Sequence, residues 1–130
     1  MKFSWIDQAG TIASATCAAH CLLLSVAPAL LSLLGLELLK HEALEWGLFA
    51  IALSIAGLAG ALGYRVHRSS WVLGSFGVGI AVLVAGRMGE ALELYEGAGM
   101  LAIVGGLLLV ASHLKNIGSI RACQEPCCDS

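Results

Sequence analysis

Charge is what this chain has least of. Only 12% of its 130 residues are Asp, Glu, Lys or Arg, against roughly 25% in a typical soluble domain. With 58% hydrophobic residues and a mean hydropathy of +0.88, it lacks the polar side chains that would cover a soluble core. A single small membrane domain is the natural reading. No soluble domain, linker or clear internal repeat interrupts it. Seven Lys and Arg against nine Asp and Glu leave a net charge of -2 and no basic patch, which speaks against a nucleic-acid partner. No phosphate-binding loop suggests nucleotide use, and no Cys-x-x-Cys-His run suggests covalently attached haem. The five cysteines do not form a secreted disulfide framework, because two lie in an apolar run and three crowd the C-terminus. Asp7, and the length of the apolar run after it, read against a cleaved signal peptide. Too little apolar sequence precedes Ser14-Ala15-Thr16-Cys17 for a lipoprotein cleavage site.

What is there is apolar length. The few charges leave four runs free of Asp, Glu, Lys and Arg: Gln8 to Leu36, Trp46 to Tyr64, Ser69 to Gly86 and Gly97 to Leu114. The last three are close to the ~20 residues that span hydrocarbon, where the backbone must satisfy its own hydrogen bonds as helix. The expectation is an all-α fold, an integral membrane four-helix transmembrane bundle with spans near 9–36, 45–64, 70–88 and 97–115. Residues 1–118 form the membrane domain, and 119–130 form a cysteine-containing tail. The first run is longer than one span needs. Pro28 is expected to kink it, and tilt or a short interfacial segment near Leu33 to Leu39 would absorb the excess. Trp5, Trp46, Tyr64, Trp71 and Tyr95 fall at the ends of runs, where an amphipathic ring suits the interface.

The positive-inside rule gives a direction. Lys2, Arg65, Arg68, Lys115 and Arg121 share one side, and only Lys40 and Arg87 fall on the other, which places both termini in the cytoplasm. Glu37, Glu42, Glu45, Glu90, Glu93 and Glu96 then read as solvated charges of the outer loops, with a weak pull on cations. Asp7 reads as a cap for the first helix, and Asn116 or Gly118 as the end of the last. Small residues at Gly57, Gly60, Gly63, Ser75, Gly79, Ala102 and Gly106 suit close helix packing, within the bundle or in a homo-oligomer.

Cys17-Ala18-Ala19-His20-Cys21 carries the chemistry. At i and i+4 the two cysteines share one helical face, with His20 flanking it. A helix that enters lipid near Gly10 carries Cys17 about 10 Å and Cys21 about 16 Å deep. Two cysteines there can simply pack as small apolar groups, with His20 hydrogen-bonded inside the protein. The functional reading is a soft-metal site. Thiolates favour Cu(I), Zn(II) and Hg(II), two of them neutralise a divalent ion, and an uncompensated ion in hydrocarbon is costly. His20 could take a thiol proton, serve as a third ligand, or stabilise a thiolate when protonated. Cys123, Cys127 and Cys128 offer acceptor thiols in the tail, where a reducing cytosol argues against a disulfide. His113, one turn before Asn116, is a further candidate ligand. His41 reads as a loop residue or a first ligand on the way in, and His67, between Arg65 and Arg68, as a solvated or headgroup-facing residue.

These residues resemble the MerC mercury-resistance transporter family. Asp7, Gly10, Ser14, Cys17, His20 and Cys21 match its N-terminal pattern, and Pro28, His41, Tyr64 to Arg68, His113, Asn116 and Cys123 are similar as well. The resemblance implies a multi-pass protein of the bacterial inner membrane. Its cargo would be mercuric ion, passed to cytosolic thiols or mercuric reductase. It equates the membrane cysteine pair with Cys17 and Cys21, and the C-terminal pair with Cys123 and Cys127 or Cys128. His20 is not typical of mercury-operon members and keeps zinc and copper as alternative cargo. The expected protein is a carrier and not an enzyme, working by ligand exchange with no permanently bound cofactor. The rivals are a thiol-redox or haem-binding membrane protein using His20 and His113, and a small structural subunit.

Overall fold

The computed structural model describes residues 4–124. In chain order these form α1 (Ser4–Val26), α2 (Pro28–Leu33), a 3-10 turn (Glu37–Lys40), α3 (Glu42–His67), α4 (Ser70–Ala91) and α5 (Ala98–Gln124). The described residues contain no strand. Helices α1, α3, α4 and α5 have 23, 26, 22 and 27 residues. At a rise of about 1.5 Å per residue, each exceeds the ~30 Å of a hydrocarbon core. Each also contains an 18-residue window with a mean hydropathy of 1.5 to 1.8, so the protein is an all-α chain with four helices able to cross a membrane.

The side chains are sorted as lipid requires. Ile12, Val26, Val78, Met100 and Leu107 are more than half exposed on the outside, where water would penalise them and acyl chains would not. The interior is built largely from small residues, among them Ala52, Ala56, Ala59 and Ala102, with Phe76, Leu83 and Leu109 filling the gaps between them. Helices α4 and α5 approach most closely. Gly86 lies against the backbone of Ala102, Gly105 against that of Leu83, and Gly79 against Leu109. Gly106 similarly admits Ala18 and the Ser14 carbonyl of α1. Without a driving force between apolar helices in lipid, such backbone approach is what holds a bundle together. Gly57 has no neighbour near its missing Cβ and faces outward, so it is not one of these packing positions.

Two boundaries differ from expectation. The first apolar run does not continue as one helix to residue 36. Pro28 has no N–H to extend the ladder, so α1 stops at Val26 and Pro28 opens α2, the position that suits its fixed φ. Gly35 then turns the chain at φ +69°, and the 3-10 turn lies against α3. At the other end, α5 passes through Asn116 and Gly118 and ends at Gln124, so the first part of the expected tail is helix.

Successive long helices run in alternating directions. Asp7 near the start of α1 meets His113 in the second half of α5, and Glu45 near the start of α3 meets Arg87 near the end of α4. The bundle therefore has a terminal end, where α1 begins and α5 finishes, and a far end, closed by α2 and the 3-10 turn.

Candidate metal centre

The inward seam of α1 follows a three-four spacing through Asp7, Gly10, Ser14 and Cys17, all buried, to Cys21, which is half-buried. Cys17 and Cys21 thus lie one turn apart on the same face and line the same cavity. That cavity is small, lies at the far end and is lined also by His20, Phe49, Leu83 and Ala102. The space there open to the centre of a water-sized sphere is about 10 Å³, room for roughly one water or small ion.

Three charged side chains close this cavity: Glu45, Arg87 and Glu90. The Arg87 side chain is 9% exposed, and its Nη2 lies 2.5 Å from Glu45 Oε2. Its Nη1 donates to Glu90 Oε2 at 3.0 Å. The guanidinium also stacks on Trp46, 4.9 Å from the ring centroid, a favourable placement for a cation that has given up much of its hydration. A guanidinium between two carboxylates leaves one formal negative charge at the mouth, facing the thiols.

His20 is buried at 7% exposure and shares the cavity wall. Its Nε2–H donates to the Leu39 carbonyl at 2.7 Å, since a carbonyl oxygen can only accept. His20 therefore pins the 3-10 turn over the far end of the bundle. Among the described residues, no three His, Cys, Asp or Glu side chains converge into a ready metal cage. What the geometry offers is a pair of thiols from one helix, suited to a soft divalent ion that accepts two ligands.

His113 is not part of this cavity. It lies fully buried at the terminal end, where its Nδ1–H donates to Asp7 Oδ1 at 2.9 Å. Asn116 Nδ2 lies 3.0 and 2.9 Å from the two Asp7 carboxylate oxygens and 3.3 Å from the Ala59 carbonyl. The Asn116 carbonyl oxygen in turn accepts from His67 Nε2 at 2.8 Å, and His67 Nδ1 accepts from the Ser69 N–H at 2.9 Å. Phe76 packs edge-on to the His113 ring, with centroids 4.9 Å apart. Gly10 and Gly63 leave the space that the His113 ring and the Asn116 amide occupy.

Several expectations are revised by this placement. Asp7 is a buried carboxylate inside α1 and not a solvent-facing cap, and Asn116 is a core residue and not a helix end. His67 is tied into the network and not simply solvated. His41 caps α3, its Nδ1 accepting from the Ala43 N–H at 3.3 Å. Glu45, Glu90 and Arg87 wall the thiol cavity instead of lying free in loops. His20 and His113 sit at opposite ends of the bundle and cannot hold one haem between them. Cys123 is exposed in the last turn of α5, while Cys127 and Cys128 lie outside the described residues.

The fold and this cavity define a polytopic α-helical membrane protein with a dithiol pair held inside its bundle. Compared with known families, residues 7–118 match the model of the MerC mercury resistance protein. The chain belongs to that family, which makes it a mercury-resistance membrane protein with metal ion as cargo. The match includes both cysteines of the cavity and the whole Asp7 network, and it ends before Cys123. No curated protein and no solved structure matches the chain.

Proposed function

We propose that this protein carries mercuric ion inward across the bacterial inner membrane, with the far end of the bundle facing the periplasm and both termini in the cytoplasm. One observation supports the reading above the others: Cys17 and Cys21 present two thiols to one cavity, inside a helix able to cross the membrane, beneath an acidic mouth. Hg(II) exchanges onto the two sulfurs at the far end. Both thiols lose a proton and the resulting complex is neutral, which suits a low-dielectric site. His20 holds the covering segment through Leu39 and remains next to the cavity as an occasional third donor. The ion then exchanges onto Cys123 and the neighbouring Cys127 and Cys128, and from there to cytosolic thiols or mercuric reductase. Each step swaps one ligand for another and consumes no nucleotide.

The test is mercuric-ion uptake in cells expressing the protein, beside Cys17→Ser and Cys21→Ser variants confirmed to reach the membrane. Wild type should raise uptake and sensitise cells that lack the reductase, and both variants should return to background. Variants that transport like wild type would overturn the assignment of the pair. Zinc and copper in the same assay address the cargo.

A further inference from the structure

Lys115 is a cation with a fixed place and no carboxylate near it. Its Nζ lies 5.8 Å from the centroid of the Trp71 ring, within the range of a cation–π contact. Both residues are exposed at the terminal end, Trp71 in the first turn of α4 and Lys115 in the second half of α5. Among the described residues, the acid at this end is Asp7, which is buried and already engaged by His113 and Asn116. The glutamates belong to the far-end segments. Arg65, Arg68 and Arg121 are exposed at the terminal end as well, so its surface carries uncompensated positive charge.

A groove of about 390 Å³ starts at this pair and runs along the outer surface between α4 and α5. Trp71, Gly74 and Val78 line it from α4, and Lys115, Ala111 and Leu108 from α5. Because the two helices are antiparallel, Trp71 and Lys115 share the rim, and Val78 and Leu108 lie about 10 Å deeper. The groove is open at Gly74, which has no side chain and no atom within 4 Å of where its Cβ would be. Ser75 and Ser112 also line it, but neither offers its hydroxyl proton. Ser75 Oγ donates to the Val72 carbonyl at 2.7 Å, and Ser112 Oγ to the Leu108 carbonyl at 2.8 Å, the ordinary way for a helical hydroxyl to satisfy itself in an apolar setting. The groove therefore has one charged end and an apolar length.

We propose that this groove binds an anionic glycerophospholipid, with the lipid phosphate on Lys115 beside Trp71 and one acyl chain along Gly74, Val78 and Leu108. Charge decides between the occupants. A second copy of the chain, packed about a two-fold axis, would meet this face with the same face. That brings a second ammonium toward Lys115 and no carboxylate, in a medium where uncompensated charge is costly. A zwitterionic lipid supplies the chain, but its own cation offsets part of the attraction. A lipid with one net negative charge on its phosphate supplies both the chain and the counter-charge. In the orientation proposed above, the rim lies in the cytoplasmic leaflet, where basic pockets between spanning helices receive lipid head groups. The site is independent of the cargo, because no residue of the thiol cavity lines the groove.

The test uses the full-length chain in neutral detergent micelles, with Trp5→Phe and Trp46→Phe so that Trp71 is the remaining indole. Lipids brominated on the acyl chain quench an indole that they touch. Brominated phosphatidylglycerol should half-quench Trp71 at a mole fraction about fivefold lower than brominated phosphatidylcholine, the difference expected of one Lys beside a lipid phosphate. Lys115→Gln should abolish that preference. Arg65→Gln, which removes an exposed charge of α3 at the same end, should keep it. Gly74→Leu places its side chain in open space within the groove, so it should weaken quenching by both lipids and leave the helical circular dichroism unchanged. Native mass spectrometry of lipids retained by wild type and by Lys115→Gln makes the same comparison without the tryptophan changes. Equal quenching by the two lipids, equal losses in Lys115→Gln and Arg65→Gln, or unchanged quenching in Gly74→Leu would overturn the site. Relief of quenching by inorganic phosphate would make the ligand a free anion, and protection by a dimer that Gly74→Leu dissociates would make it a second copy; either result overturns the lipid. No metal enters the assay, so its failure leaves the mercury reading untouched.

Discussion

The two ends of the bundle each bury charge, and they do so in opposite ways. At the terminal end, Asp7, Asn116 and His67 close a chain of hydrogen bonds that runs from the Ala59 carbonyl to the Ser69 amide. Among the described residues, His113 Nε2 is left without a partner there, as Arg87 Nε is at the far end. At the far end, Arg87 is clamped between Glu45 and Glu90, but beside it lies open space lined by two thiols. Polar groups buried in lipid are expensive unless satisfied. The saturated end therefore reads as a keystone of the fold and the open end as a site. Substitutions at the far end should change what the protein binds, and those at the terminal end should change whether it stands.

The largest effect should come from Cys17→Ser, which removes one of the two sulfurs. Isothermal titration with mercuric ion in micelles should show high-affinity binding lost, while the unfolding midpoint hardly moves. Asp7→Ala should do the reverse. It strands His113 Nδ1–H in the core and leaves the Asn116 amide only the Ala59 carbonyl, at a cost of about 3 kcal/mol, read from denaturant unfolding of the same preparation. A drop in mercury affinity without a drop in stability would break the division between the ends. Gly10→Ala sharpens it more gently, because the new methyl meets the His113 ring. A loss of about 2 kcal/mol is expected from such overpacking. The smallest change is Glu45→Gln, which leaves Arg87 its contacts with Glu90 and Trp46 and should cost about 1 kcal/mol. Its signature is access. Alkylation of Cys21 by N-ethylmaleimide, followed by mass spectrometry, should run severalfold faster than in wild type.

The four crossings were legible because lipid imposes a simple rule: charges are rare, and their positions mark the ends of helices. The grouping of Cys17, His20 and Cys21 stood out for the same reason, as three potential donors within one apolar run, and all three line one cavity. The surroundings of that cluster did not stand out. Glu45, Arg87 and Glu90 occupy helix ends, where a charge reads as solvated, and only the folded bundle turns them inward over a cavity. The Asp7 network was equally hidden, because Asp7 and His113 are 106 positions apart and each has an ordinary local explanation. Pro28 did announce a disturbance in the first run. Whether it kinks one helix or starts another depends on the His20 bond to Leu39 and the packing of the 3-10 turn on α3, neither of which is local.

Cys17 and Cys21 both belong to α1, and this has a mechanical consequence. A metal held between them closes a ring within a single helical turn and cross-links no helix to another. Loading therefore adds little to the cohesion of the bundle, and unloading takes little away. On the proposed role, the cargo would be held by chemistry and not by architecture, so an incoming thiol would have only two bonds to replace and no fold to undo.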